Sequence, residues 1–240
     1  MYSIETDNLT KKYKDKTVVD KLNLKIKDGE LFALLGTNGA GKTTTIKMLT
    51  GLVKPTKGKI KILNLNLENN SQKIKTMLNI SPQETAIAPN LTVKENLEFF
   101  AGVYQIKDRN EKIEKLVKDF KLEKVIDEKA KKLSGGWQRR LSIALALING
   151  PKILFLDEPT LGLDVIARKE LWRIIEKLKG KVTIILTTHY MEEAEALSDR
   201  IGIMKNGRVI ATGTAKSLMK QAKASTFEDA FVKIVTGEEL

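Results

Sequence analysis

The 240-residue chain has no cysteine, a single histidine, five prolines and few aromatics: two Trp, four Tyr and seven Phe. Without cysteine there is no disulfide scaffold, thiolate zinc site, iron–sulfur cluster or cysteine nucleophile. One histidine, His189, leaves no imidazole pair for a zincin and no His-rich metal site. The longest apolar runs, such as residues 143–148, fall far short of the ~20 residues a membrane span needs. Residues 1–5 lack a basic patch ahead of an apolar core, so no signal peptide is expected and the chain reads as soluble and cytosolic. At ~100–200 residues per domain the length predicts one domain, or one domain with a subdomain. That is enough chain to bury roughly 70–75% of its unfolded surface without covalent staples.

Lysine and arginine outnumber the acids, 42 to 30, for a net charge of +12. A basic chain invites nucleic acid or an anionic membrane as a partner. The lysines, however, are spread through the sequence among Asn, Glu and Asp, and no basic run carries interleaved aromatics. Base stacking has no visible platform. A solvated lysine surface is the first reading, attraction to a membrane surface the second, and nucleic acid the last.

Hydrophobic periodicity divides the chain. Leu22, Leu24 and Ile26 alternate with polar residues up to an Asp28-Gly29 turn, a half-buried antiparallel strand. Residues 31–35 are a continuous apolar strand, followed by a glycine-rich loop, a helix over 43–49 closed by Gly51, and a short strand over 60–63. Thr92 with Glu95 spells a capping box. Ile113, Leu116, Val117 and Phe120 form one helical stripe, and a further helix over 137–148 is stopped by Asn149-Gly150-Pro151. Residues of about 84–150 therefore read as a mostly helical insert. Buried strands return at 153–156 and 182–186, separated by a helix carrying Ile166, Leu171, Ile174, Ile175 and Leu178. A hairpin turns at Asn206-Gly207, and residues 214–240 read as a small helical appendage. The pattern predicts an α/β fold on a parallel sheet.

Residues 36–43, Gly-Thr-Asn-Gly-Ala-Gly-Lys-Thr, fit G-x-x-x-x-G-K-[ST] between a buried strand and a helix. Glycines let successive N–H groups turn toward phosphate oxygens at the positive end of the helix. Lys42 would reach the β- and γ-phosphates and the Thr43 hydroxyl Mg²⁺; taken alone, the loop is also a strand–helix turn rich in glycine for steric reasons. Asp157 and Glu158 end a buried strand, suited to supporting a metal and to deprotonating an attacking water, or equally to an exposed acidic strand end. Ser134 is placed to N-cap a helix before Gly135 and Gly136, a weak first turn that suits close approach to an anion or a plain flexible turn. His189 follows a buried strand, where α/β proteins bind ligands, although a lone histidine is more often a core residue. Gln83 is placed at a strand-to-helix junction and Tyr13 before a loop; each alone reads as ordinary surface or packing.

In this order the segments resemble the ATP-binding subunits of ABC transporters over about residues 4–213. Tyr13 matches the adenine-stacking aromatic, 36–43 the Walker A loop, Gln83 the Q-loop, and Leu133 with Ser134, Gly135 and Gly136 the signature. Asp157 and Glu158 match Walker B, Asp164 the D-loop and His189 the switch histidine. The residues after Ser134 and after His189 are most similar to the drug-resistance and sodium-export branch. Two positions depart from the pattern: Trp137 replaces the signature's usual fifth-position Gln, with Gln138 one place on, and Leu161 replaces the D-loop's opening Ser.

The resemblance implies a P-loop NTPase core with an N-terminal antiparallel β subdomain and the helical insert, all one domain over 1–240. Nucleotide would be held by Tyr13, Gly36, Thr37, Asn38, Gly39, Ala40, Gly41, Lys42, Thr43 and Thr44, and across a dimer by Ser134, Gly135, Gly136 and Asp164. Mg²⁺ falls to Thr43, Gln83 and Asp157, and catalysis to Glu158, His189, Gln83 and Lys42. It further implies a head-to-tail dimer, most simply of two copies, around two ATP. The dimer would drive a separate membrane-spanning permease from the cytoplasmic face of the membrane, as an exporter in the sense of that branch, with no nucleic-acid partner. Two rivals stand beside it. Repair and chromosome ATPases carry coiled coils or zinc modules, against which the 92 positions from Lys42 to Ser134 and the missing cysteine argue. A small-molecule P-loop kinase would need neither the signature nor His189.

Overall fold

The computed structural model describes residues 1–237. Strands β1 (Tyr2–Tyr13), β2 (Lys16–Leu22) and β3 (Lys25–Lys27) lead into β4 (Leu31–Leu35) and helix α1 (Lys42–Leu49). Next come β5 (Lys57–Ile62), β6 (Leu65–Asn66), α2 (Ser71–Lys75) and β7 (Leu78–Ser81). A helical stretch follows, with α3 (Val93–Val103), α4 (Arg109–Asp119) and α5 (Gly135–Ala146). The chain then runs through β8 (Ile153–Asp157), α6 (Val165–Glu176), β9 (Thr183–Thr188), α7 (Met191–Leu197) and the hairpin β10 (Arg200–Lys205) and β11 (Arg208–Gly213). Helices α8 (Ala215–Gln221) and α9 (Phe227–Thr236) close it.

One sheet is antiparallel, β2-β1-β5-β6 with β3 also paired to β1; the other runs β11-β10-β4-β9-β8-β7 and is parallel from β10 to β7. The continuous apolar runs of β4, β8 and β9 follow from burial on both faces. Phe32, Leu34, Ile153, Phe155 and Ile185 face α1 and the antiparallel sheet, so α1 lies sandwiched with Ile46, Met48 and Leu49 inside. Leu31, Leu154, Leu156, Ile184 and Leu186 face the other way, onto residues of α3, α5 and α6. Period-two alternation along each strand thus assigns its residues to two cores.

The helical stretch 84–150 has no core of its own: Val93, Leu97, Leu116 and Phe120 belong to the same cluster as the sheet residues. Its capping box forms as expected. Thr92 Oγ1 accepts from the Glu95 N–H at 3.1 Å and Glu95 Oε2 accepts from the Thr92 N–H at 2.7 Å. The Thr92 N–H, with its hydroxyl second, holds the Glu95 carboxyl below its ordinary value.

Three sequence expectations need correction, and a fourth, the helical 214–240 appendage, gains its packing partners. Ile166 is 75% exposed rather than part of the α6 stripe. It lies about 130° around the helix from the centre of the Leu171–Ile174–Ile175–Leu178 face, at 100° per residue. Gln83 opens a long loop, not a helix, since α3 begins only at Val93. Ser134 occupies the N-cap of α5 with extended backbone, but its side chain makes no cap hydrogen bond. Within the described part of the predicted 214–240 appendage, Leu218 and Phe227 are buried with Ala33, Leu35, Ile201 and Ile203, so α8 and α9 complete a third core; residues 238–240 of that prediction lie outside the described residues.

Candidate functional site

Where β4 turns into α1, the loop 36–41 is shaped by glycine for two separate reasons. A Cβ on Gly36 would stand 2.4 Å from the Met204 carbonyl, and one on Gly41, at φ +105°, 2.6 Å from the Val18 carbonyl. Those glycines answer to protein neighbours, whereas Gly39, at φ +79°, has nothing within 4 Å and needs only the left-handed conformation. Gly41 is the N-cap of α1 and brings no side chain to the first-turn N–H groups. Such an N-terminus suits an anion.

An open cleft of about 420 Å³ lies at the carboxyl ends of β4, β7, β8 and β9. Asn38, Gly39, Ala40, Gly41, Lys42, Thr43 and Thr44 line it with Gln83, Glu158 and His189. Segments far apart in sequence converge there because the strands are parallel: all deliver their next loop to the same edge. Gly36 and Thr37 contribute backbone instead, their carbonyls accepting from Lys42 Nζ at 2.8 and 3.2 Å. The ammonium also pairs with Glu158 Oε1 at 3.2 Å, and Glu158 Oε2 meets His189 Nδ1 at 2.6 Å. Lys42 and Glu158 are 5% and 6% exposed, so this chain of charge is well desolvated.

Glu158 has φ +49°, a left-handed conformation costly for a residue with a side chain. Its N–H is held by the carbonyl and hydroxyl of Thr187, both at 3.1 Å. The same Thr187 hydroxyl donates to Asp157 Oδ1 at 2.5 Å, and the Thr43 hydroxyl donates to that oxygen at 3.2 Å. Thr187 thereby fixes the Asp157 carboxylate and the Glu158 backbone; in the sequence it is one of two threonines before His189, with nothing to single it out. A hydroxyl and a carboxylate side by side are hard oxygen donors of the kind Mg²⁺ takes.

Five expected binding residues lie outside the cleft. Ser134 and Gly135 are exposed at the start of α5, and Gly136 packs where a Cβ would stand 3.1 Å from Ala167 Cβ. Tyr13 ends β1, 46% exposed, with Lys11 Nζ 4.9 Å from its ring centroid. The Asp164 carboxylate accepts from the N–H groups of Ile166 and Ala167 at 2.9 Å each, capping α6. In the signature, Trp137 carries the Arg140 guanidinium 4.6 Å over its ring, and Gln138 donates to the carbonyls of Ala130 and Leu133.

Two buried charges beside the cleft had no motif to announce them. Arg139 donates to the carbonyls of Pro82 and Gln83 at 2.6 Å each. Glu193 is fully buried, with Oε1 accepting from Trp172 Nε1 at 3.0 Å. Its Oε2, like Thr160 Oγ1, has no partner in hydrogen-bond geometry among the described residues. Burial pushes the Glu193 carboxyl up, offset in part by the hydroxyls of Thr188 and Thr160 and the indole of Trp172, and reinforced by the Glu158 charge. A folded pKa above the unfolded one means stability is lost as pH rises from the unfolded carboxylate range through the raised value. Glu193→Gln, neutral at every pH, is therefore expected to gain Tm over the wild type progressively as pH rises above the ordinary carboxylate range. A pH-independent Tm difference would contradict this.

The family model described as ABC transporter matches residues 19–161. The chain is 42% identical over 240 residues to the "Probable multidrug ABC transporter ATP-binding protein YbhF" of Escherichia coli (strain K12), covering 97% of this chain and 41% of that protein. It thus spans about two fifths of that relative's length. It is 42% identical over 221 residues to "Nod factor export ATP-binding protein I" of Burkholderia orbicola (strain AU 1054), covering 90% of this chain and 72% of that one. Among solved structures, a dimeric ATP-binding cassette in a post-hydrolysis state with ADP and Pi superposes with a TM-score of 0.79 at 29% identity, covering 88% of this chain and 98% of that one. This chain belongs to the ABC transporter family, as one of its ATP-binding, ATP-hydrolysing domains.

Proposed function

We propose that this chain is the ATP-driven subunit of an exporter: two copies close around two ATP and drive a separate membrane-spanning permease. The observation that carries this is the split between the cleft and the signature. Lys42, Thr43, Gln83, Glu158 and His189 share one cleft, while Ser134 and Gly135 stand exposed away from it. A phosphate-binding helix start outside its own cleft has a use when a second copy supplies the nucleotide. A relative is named for Nod factor export, and a similar cassette was solved as a dimer. Tyr13 offers an exposed ring for adenine, Asp164 sets the start of α6 at the dimer face, and the one domain divides into core and helical insert at about 84 and 150.

In hydrolysis, Lys42 places its charge on the β- and γ-phosphates. Glu158 takes the proton of the attacking water, whose oxygen bonds to the γ-phosphorus as the bond to the bridging oxygen breaks, giving ADP and phosphate. His189 orients the Glu158 carboxylate from 2.6 Å. Thr43, Asp157 and Gln83 would hold Mg²⁺, which when bound neutralises charge on the β- and γ-oxygens.

The permease would dock on the helical insert. Phe99, Val103 and Tyr104 on and just beyond α3 are 55%, 60% and 39% exposed, an apolar face of a kind that marks interaction sites. No helix among the described residues is long and apolar enough to cross a membrane, so the span has to come from another segment or chain. Scattered lysines would add attraction to an anionic leaflet, up to ~1 kcal/mol per nearby cation and less at high salt. The test is co-purification with the membrane protein encoded beside this chain, followed by ATPase and flux assays in vesicles. Phe99→Asp is expected to lose the complex and the flux while the ATPase of the isolated chain survives. Binding to ribosomes or DNA, with no membrane partner, would overturn the reading.

A further inference from the structure

The stretch that enters the cleft from β7 is gripped at three consecutive residues by one face of α5. Ser142 Oγ and Ser81 Oγ lie 2.9 Å apart, both buried. One turn earlier on the same face, Arg139 gives one guanidinium nitrogen to the Pro82 carbonyl and the other to the Gln83 carbonyl, at 2.6 Å each. Arg139 is 5% exposed, so these bonds are made away from water. Burial lowers its pKa while the facing carboxylates of Asp157 and Glu193 raise it, and an arginine stays charged throughout. A planar fork meeting two successive carbonyls fixes both position and orientation of that backbone. The same helix begins with Ser134 as its N-cap and Gly135 and Gly136 in its first turn. From Ser134 to Arg139 is about 1.4 helical turns, or ~7.5 Å of rise, with no break in between.

We propose that Arg139 is a positioning residue that couples the two nucleotide sites of the dimer, tying Gln83 in its own chain's cleft to the helix whose start meets the partner's nucleotide. This rests on the sandwich dimer proposed above. A helix is stiff over so short a length, so any shift of the signature on contact with the partner's phosphates moves Arg139, and through it the Gln83 backbone. Gln83 then reaches its working place only when both sites are filled. The coupling is mutual because the dimer is symmetric: each chain's signature reports on the other's nucleotide.

The experiment uses the purified full chain with ATP and Mg²⁺. Arg139→Lys keeps a cation but replaces the two-pronged fork by a point charge. Ser142→Ala removes the neighbouring grip without touching charge and serves should the first variant fold poorly. With two coupled sites the wild-type ATPase is expected to rise with ATP at a Hill coefficient between 1 and about 2. In Arg139→Lys it falls toward 1 and kcat drops about tenfold or more, as small misplacements of catalytic groups do. Binding of a fluorescent ATP analogue to the chain changes less than about twofold, since the 36–44 loop is untouched. Ser142→Ala shows the same loss of cooperativity to a smaller degree. Wild-type cooperativity in both folded variants, or a wild-type dimer without cooperativity, overturns the proposal. The dimer is tested separately, by size exclusion of Glu158→Gln with ATP: a chain that stays monomeric there refutes the sandwich itself, whatever the variants do.

Discussion

Lys42→Ala is expected to abolish measurable ATP hydrolysis, a fall of at least about a thousandfold, at the upper end of what losing one preorganised electrostatic contact costs. Nucleotide binding weakens too, by ~1.5–3 kcal/mol, the usual worth of hydrogen bonds to a charged group. The structure adds a second effect. Lys42 is the cation against Glu158 Oε1 in a nearly closed setting, so truncation leaves a buried carboxylate with only His189 beside it. Breaking a buried pair from one side typically costs ~3–5 kcal/mol. The two effects separate in Lys42→Ala/Glu158→Gln, which removes the orphaned charge: thermal stability should recover while phosphate release stays absent. Turnover in Lys42→Ala near the wild-type rate would sink the role given to the 36–44 loop.

Glu158→Gln acts chiefly on the reaction: the Lys42 ammonium loses its buried carboxylate but keeps the Gly36 and Thr37 carbonyls, so the chain without nucleotide is expected to lose some stability and to regain it when the phosphates of ATP meet Lys42. The amide keeps the shape of the carboxylate beside His189 but cannot take a proton from water. Hydrolysis should fall by about 10²–10⁴, the usual contribution of a general base. ATP binding should persist, because Lys42, Thr43 and the loop backbone are intact. Dimers should therefore accumulate with ATP and disperse when it is removed. Two measurements check this, phosphate release and size exclusion with and without ATP. Full activity in the variant would move the base elsewhere, and the buried Glu193 would be the next carboxylate to test.

What could be read from the sequence was whatever is written in one stretch. The loop 36–44 is legible because strand, glycines, lysine and helix are contiguous, and the Thr92–Glu95 capping box because its partners are three residues apart. The strands β4, β8 and β9 announce themselves by being apolar on both faces. Arg139 was hidden because its partners are backbone carbonyls 56 and 57 residues away, and carbonyls carry no residue identity. Glu193 was hidden because the groups that meet its carboxyl, Trp172 and Thr160, lie on segments that periodicity cannot place against it. Thr187 escaped notice since a hydroxyl that serves the Asp157 carboxylate and the Glu158 N–H looks like any strand threonine. Ile166 misled in the opposite direction: an isoleucine near a helix start was counted with a stripe that its angle excludes.

The order of strands in the parallel sheet also sets a timetable for the chain's birth. β4, which delivers the 36–44 loop, is flanked by β9 and β10, paired as Phe32 to Ile185 and Phe32 to Arg200. Neither neighbour exists until some 150–170 further residues have been made, which at ~5–20 residues per second is roughly 8–34 seconds of translation. Throughout that interval the apolar run Leu31–Leu35 has no lateral partner and its nucleotide loop no floor. A ribosome-bound chain therefore acquires its affinity for ATP late and all at once, when β9 and β10 emerge. Until then β4 is a segment for chaperones to shield.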